Sequence, residues 1–238
     1  MLVQNRSSFQ MKKYFAIILL SFFALSEVTA QEINPLYDIQ KIHFGFSIIG
    51  NSGKLKYTTA ENFLDVDTIK QINTKSFPGF GVGGIMNIRM ADHWDFRTMV
   101  NIQFVERHLE YKFSGGDLQI AKINSTYMEI PFLLKYKSER NRNFRFYWVG
   151  GVTYRYDFAS DIHTDRSNTK PIVALQPTTY SYDFGAGFDF YFEYFKFSPE
   201  VRISNGLGNS LVQDPFIYAS SLTRMSPKLI EFFLHFEG

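Results

Sequence analysis

The sequence predicts an all-β fold, an eight-stranded antiparallel up-and-down transmembrane β-barrel, and three features carry that expectation. Eight segments alternate apolar and polar side chains residue by residue, as strands do whose two faces meet different surroundings. The connections between them alternate long and short, the arrangement of an outer-membrane barrel with external loops and short periplasmic turns. Aromatic residues make up 18% of the chain, and they gather near the ends of the alternating segments, where bilayer interfaces favour them.

Residues 1–30 stand apart from this pattern. Lys12 and Lys13 precede the apolar run 14–25, and the small residues Val28 and Ala30 follow it. This is the layout of a secretory signal peptide, with cleavage expected between Ala30 and Gln31 and the barrel domain spanning 31–238. Met11, directly ahead of the two lysines, is the more natural translation start. Gln31 offers no thiol for a lipid anchor. Of the chain's 25 Lys and Arg and 23 Asp and Glu, the signal removes Arg6, Lys12, Lys13 and Glu27, leaving 22 of each sign. That balance gives no support to nucleic-acid binding. The lack of cysteine excludes disulfides and thiolate metal sites, and no cofactor is expected.

The eight segments follow in order. In 42–49, Ile42, Phe44, Phe46 and Ile48 oppose His43, Gly45 and Ser47. In 80–90, Phe80, Val82, Met86, Ile88 and Met90 oppose Gly81, Gly83, Asn87 and Arg89. The third, 94–104, sets Trp94, Phe96, Val100, Ile102 and Phe104 against Asp95, Arg97, Asn101 and Gln103. Beyond Val105 its apolar parity changes to Leu109, Tyr111 and Phe113, which predicts a β-bulge. In 126–136, Met128, Ile130, Phe132, Leu134 and Tyr136 oppose Glu129 and Lys135, with Pro131 on the polar face at the expense of one ladder donor. Segments 144–158, 180–192, 195–204 and 228–236 repeat the logic. The expected long connections are 50–79, 114–125, 159–179 and 205–227, and the short ones are 91–93, 137–143 and 193–194.

The fifth segment decides which solvent the apolar face meets. Phe144, Phe146, Trp148, Gly150, Val152, Tyr154, Tyr156 and Phe158 share one parity, with rings at both ends and small residues between. The ten residues from Phe146 to Tyr156 extend about 33 Å at ~3.3 Å per residue. At a tilt of about 40° this projects to about 25 Å, the height of the apolar band of an outer-membrane barrel. The apolar face therefore belongs to outer-membrane lipid.

Eight strands enclose a lumen that side chains fill. The inward positions carry Arg89, Asp95, Arg97, Glu129, Lys135, Arg145, Arg155, Asp157, Asp183, Asp189, Glu200, Arg202 and Glu231. Charges of both signs on neighbouring strands predict a self-satisfied, salt-bridged plug, since buried charges must be paired. No catalytic pattern emerges: His43, His93, His108, His163 and His235 are scattered, and neither a metalloprotease helix motif nor a nucleophile elbow occurs. His43 and His235 lie on the first and last strands and are expected to approach as plug members. Among the loops, Tyr57, Phe63 and Leu64, and Leu207 and Leu211 within 205–215, are more apolar than a solvated tip requires and mark an interaction surface or a loop folded over the mouth.

The run MEIPFLLKYKSERNRNFRFYWVGGVTYRYDFAS, 128–160, resembles the central signature of the PorT family of outer-membrane barrels in the type IX secretion system. The matching positions are Glu129, Pro131, Leu133, Leu134, Lys135, Tyr136, Lys137, Ser138, Arg140, Asn143, Phe144, Arg145, Gly150, Gly151, Tyr156 and Asp157. Further similarity lies in 43–46, 78–83, 197–215 and 232–237, so the resemblance covers nearly all of 31–238. Phe146 and Trp148 depart from it, where smaller residues are expected. The resemblance implies a non-enzymatic accessory of the machinery that exports cargo with a C-terminal signal, and other type IX proteins as partners. It draws attention to Lys137, Arg140 and Arg142 in the turn 137–143 as candidate partner contacts, beside Leu207 and Leu211. The alternative is a structural or adhesive barrel of OmpA/OmpX type.

Overall fold

The computed structural model describes residues 37–60, 69–161, 167 and 171–238. The expected signal peptide, its cleavage point Ala30 and Gln31, and Phe63, Leu64 and His163 lie outside them. The strands are β1 (Ile42–Thr59), β2 (Ile69–Ser76), β3 (Pro78–Arg89), β4 (Trp94–Phe113), β5 (Leu118–Lys137), β6 (Phe144–Asp157), β7 (Thr178–Tyr191), β8 (Lys196–Leu207) and β9 (Leu222–Glu237). A 3-10 turn, Tyr37–Ile39, precedes β1, and a one-turn helix α1, Ile217–Ser220, precedes β9.

All neighbouring strands run antiparallel, and β1 pairs with β9 from Gly45↔Glu237 to Thr59↔Leu222, which closes the ring. Closure satisfies backbone donors and acceptors that lipid cannot. β2 and β3 form one stave: β3 pairs with β4 over 95–104, and β2 pairs with the continuation of β4 as far as Phe113. The barrel thus has the expected eight staves, one of them broken at Phe77. β2 is a correction, because 50–79 was expected to be a loop.

The strands are also longer than the alternation of rings suggests. β4 and β5 each run 20 residues, so the expected long connection 114–125 shrinks to 114–117, a turn in which Gly116 takes φ 90°. That left-handed conformation favours glycine.

The bulge expected after Val105 is absent. β4 and β5 hold one register from Trp94↔Tyr136 to Lys112↔Leu118, and Val105, Arg107, Leu109 and Tyr111 all stay on the inner face with Asp95 and Arg97. What changes is the solvent, not the parity. Above Phe104 the outward side chains become Glu106, His108, Glu110 and Lys112, because the strand has left the membrane for water, and the inward ones become apolar.

The inner face accordingly has two parts. Within the aromatic belt it is mainly polar, with two small apolar clusters, Ile49, Ile85, Met99 and Phe233, and Leu133, Tyr147 and Val149, packed among the charges. Above the belt Leu55, Ile69, Ile72, Leu109, Tyr111, Ala121, Ile123, Val173, Leu175, Leu211, Tyr218, Leu222 and Met225 form an apolar core, like that of a soluble barrel. The 205–227 connection helps to fill it: α1 buries Tyr218 and Ala219, and Leu211 bridges to Leu175.

Two prolines leave visible marks on the ladders. Between Thr98↔Phe132 and Asn101↔Glu129 the β4–β5 pairing skips the rungs at Pro131. Between Gly187↔Glu200 and Phe190↔Phe197 the β7–β8 pairing skips those at Pro199. In each case the missing N–H removes a donor from one side of the strand.

Shortening Leu109, fully buried in the upper core, to alanine is expected to cost about 2–5 kcal/mol through the cavity it leaves. Glu106→Ala, on the outer face of the same strand, is expected to change stability by about 0.5 kcal/mol or less. Urea unfolding in lipid vesicles, followed by intrinsic fluorescence, measures both.

Candidate functional site

The lumen is where the sequence concentrates its chemistry, because strand alternation sends every second side chain of eight staves into one narrow space. Arg97, Glu129, Lys135, Arg145, Arg155, Asp157, Asp183, Asp189, Glu200, Arg202 and Glu231 all project inward and are buried. Among the described residues eight basic and eight acidic side chains are buried in total, so the interior neutralises itself.

Arg97 occupies the centre of the lower half. It donates to Glu200 Oε2 at 2.8 Å and to Glu237 Oε1 at 3.0 Å. Glu200 also accepts from Tyr147 Oη at 3.0 Å and from Arg202 Nη2 at 2.5 Å. Lys196 holds the other oxygen of Glu237 at 3.1 Å. Lys135 grips Asp189 through both carboxylate oxygens at 2.9 and 2.7 Å, and Ser198 donates to Asp189 at 2.6 Å. Lys135 also lies 3.7 Å from the centre of the Tyr147 ring. Gly187 makes room for that ring: a Cβ there would come within 2.5 Å of it.

A second layer lies above. Arg155 donates to Glu129 at 3.2 Å and stands 3.7 Å from Glu231. Gln103 Nε2 donates to both of these carboxylates, at 2.6 Å to Glu231, and Gln103 Oε1 accepts from Asn51 Nδ2 at 2.8 Å. Asp183 has no ion pair among the described residues; the hydroxyls of Thr153, Ser181 and Ser204 donate to it instead.

Two residues of the expected plug do other work. Asp157 accepts from the backbone N–H of Thr126 and of Ala159, both at 3.0 Å, and so caps the outer end of its strand. Arg145 sits at the periplasmic mouth, 3.1 Å from Asp38.

The mouth is closed by the chain's own leading turn. The Tyr37 ring stacks on His43 at 3.8 Å and meets Tyr191 edge-on at 5.6 Å. Asp38 bridges Arg140 at 3.2 Å and Arg145 at 3.1 Å, and its carbonyl accepts from Arg89. Burial works against the Asp38 charge, but Arg145 and then Arg140 outweigh it and hold the carboxyl below its ordinary range. A small cavity lined by Asp38, Arg89, Asp95, Lys137, Arg145 and Lys196 remains beside this latch.

The candidate partner residues therefore divide. Arg142 is exposed, with φ 58°, and Leu207 is 49% exposed. Lys137 is buried against Asp95 at 2.6 Å, Arg140 is held by Asp38, and Leu211 lies in the upper core. A buried, paired ammonium and a core leucine are not free to meet another protein. His43 and His235 do not approach as expected: closure places Ser47, not His43, opposite His235.

Ser47 Oγ lies 2.7 Å from His235 Nδ1, and His235 Nε2 lies 3.5 Å from Glu200. The three are 1%, 0% and 1% exposed, so this relay-like row is shut off from solvent and works as packing. Glu237, Lys196, Gln103, Asn51 and the Tyr37–Asp38 latch are the network members the sequence reading did not assign. Glu237 has the same parity as Glu231 and His235, which is the signal that identifies it.

The family model for the outer membrane protein beta-barrel domain matches residues 30–212. The chain belongs to this family. An outer-membrane barrel is thus both its fold and its location. OprG from Pseudomonas aeruginosa is 17% identical, with a TM-score of 0.45 over 82% of this chain and 92% of that one. Ail, the attachment invasion locus protein of Yersinia pestis, is 12% identical, with a TM-score of 0.40 over 84% and 100%. Neisserial surface protein A is 11% identical, with a TM-score of 0.40 over 80% and 95%. No curated protein gives a significant match.

Removing Arg97 from this family member leaves Glu200 and Glu237 short of their shared partner. Arg97→Ala is therefore expected to destabilise the barrel by about 3–5 kcal/mol, read as a lower midpoint in urea. For the latch, a depressed carboxyl contributes stability that is present above its unfolded pKa of about 3.9 and is lost as pH falls through the lower folded value. The latch is expected to hold from pH 8 down to about 4 and to open below that. A fluorotyrosine label at Tyr37 reports the opening by NMR, and Asp38→Asn should open it at neutral pH.

Proposed function

We propose that this barrel is a non-enzymatic component of type IX protein secretion, with an accessory role in assembling or stabilising the translocon for cargo bearing a C-terminal signal. The run 128–160, with its likeness to the PorT signature, carries the reading. The packing of the lumen supports the accessory part of it: Arg97, Glu200, Glu237, Lys135 and Asp189 join opposite walls, leaving no passage for a polypeptide. Such a barrel acts on other proteins through its outer surfaces.

On the periplasmic side the surface left for a partner is the tip of the 137–143 turn, where Glu139 and Arg142 are exposed. Its other basic residues serve the latch and the lumen. On the membrane side the partner is lipid, and the exposed Leu207 is available at the outer end of β8. A structural or adhesive barrel is the second reading. It is favoured by the β4–β5 hairpin, which rises beyond the belt on two paired strands of 20 residues and offers a stiff external post.

Deleting the gene separates the two. Type IX function predicts that cargo with the C-terminal signal accumulates in the periplasm, whereas normal secretion by the deletion strain overturns it and leaves the adhesive reading. Arg142→Ser is expected to lower secretion with the barrel inserted at normal levels; full secretion by that variant removes the turn as a contact.

A further inference from the structure

The outer wall above the apolar belt is not uniformly charged. On the β2–β4 side, Lys75 pairs with Glu110 at 2.6 Å. On the β8–β9–β1 side the pattern differs. Lys54 of β1 stands directly opposite Lys228 of β9, and both project outward. Side chains directly opposite on antiparallel strands have Cβ atoms about 5 Å apart, and like charges there destabilise the sheet.

A third ammonium is brought to the same place. Lys56 Nζ donates to Asn205 Oδ1 at 3.1 Å, and Asn205 on β8 is itself opposite Lys228. The Lys56 side chain therefore reaches from β1 across β9 toward β8, holding its charge beside the Lys54–Lys228 pair. Among the described residues no carboxylate forms an ion pair with any of the three. Such a cluster calls for an anion that the protein does not supply.

Its height identifies the anion. Beneath the row Lys54, Lys228 and Asn205 lies the row Ser52, Ile230 and Ile203, and beneath that Gly50, Phe232 and Val201. Ile230 and Phe232 are 51% and 47% exposed and face lipid. Each row adds about 6.6 Å along the strand. The lysines thus stand at the edge of the hydrocarbon, where headgroups begin. The start of β1 and the end of β9 are at the opposite, periplasmic end, so this edge belongs to the outer leaflet. Lysine binds phosphate as a point charge, and attraction strengthens beside the low-dielectric acyl layer.

We propose that Lys54, Lys56 and Lys228, gathered on the outer wall with Asn205 as a positioning residue, form a binding site for the phosphate of an outer-leaflet lipid. The phosphate neutralises the opposed lysines while its acyl chains lie along Ile203, Ile230 and Phe232.

The test uses the whole barrel refolded in zwitterionic detergent micelles, with its thermal unfolding midpoint as the readout. Added diphosphoryl lipid A is expected to raise the midpoint, whereas lipid A stripped of phosphate and inorganic phosphate at equal concentration are expected to leave it unchanged. The double variant Lys54→Gln, Lys228→Gln should lose the rise yet match or exceed the parent without lipid, because it removes a repulsion; Lys75→Gln should keep the rise. An equal rise with dephosphorylated lipid, or a rise retained in the double variant, overturns the site. An equal rise with inorganic phosphate overturns the lipid as its source. A double variant less stable than the parent in lipid-free micelles overturns the repulsion on which the site rests.

Discussion

The pairing of β1 with β9 is the constraint from which the other features follow. Lipid provides no partner for an open strand edge, so the sheet must close, and closing at eight staves fixes a lumen only as wide as the side chains that fill it. Every inward residue within the belt is then cut off from water. A charge placed there needs an opposite charge or several donors within reach, and the equal numbers of buried acids and bases are the consequence. Arg97 shows the principle at one site: its two Nη atoms serve carboxylates from two different strands, Glu200 of β8 and Glu237 of β9. Arg202 holds the other oxygen of Glu200 and Lys196 the other oxygen of Glu237, so Arg97 completes both carboxylates and ties the two pairs together.

The same wall is built for two solvents in sequence. Along β4 the outward side chains run from Trp94 through Phe104 in lipid and then from Glu106 through Lys112 in water, while the inward ones run from Asp95 and Arg97 to Leu109 and Tyr111. The backbone does not change; the chemistry of its two faces exchanges. Arg107 stands at the changeover, donating to Ser125 and to Tyr127 Oη at 2.9 Å with the Tyr127 ring beneath it. Below it charges pair in the lumen; above it the hydrophobic effect, absent between lipid and lipid-facing wall, holds the barrel together from inside.

The sequence made the strand parity, the inward charges and the eight-stave count legible, because each depends on a local period of two. It did not make the strand ends legible. Past Phe104 the exchange of faces imitates a one-residue slip, since apolar residues appear on the other parity for a reason of solvent rather than of register. β2 was hidden for a related cause: in IKQINTKS only Ile69 and Ile72 face the upper core, too few to mark a strand. The mouth latch escaped because Tyr37 and Asp38 lie ahead of the first alternating segment, and their partners Arg140, Arg145 and Tyr191 are more than a hundred residues away.

The two ends of the barrel are sealed by different forces, and this limits how it can act. The periplasmic end is held by charge and ring contacts of a turn, Tyr37–Ile39, on a rim that also carries Lys137 and Arg140. The external end is held by an apolar core into which Leu211 and Tyr218 fold. Between them, pairs such as Lys135 with Asp189 tie β5 to β7 across the intervening strand. A wall braced from within in this way transmits little motion from one face of the membrane to the other. What it presents outward is then a fixed shape: a turn tip with Glu139 and Arg142 exposed on one side, a stiff hairpin on the other, and an aromatic wall between them.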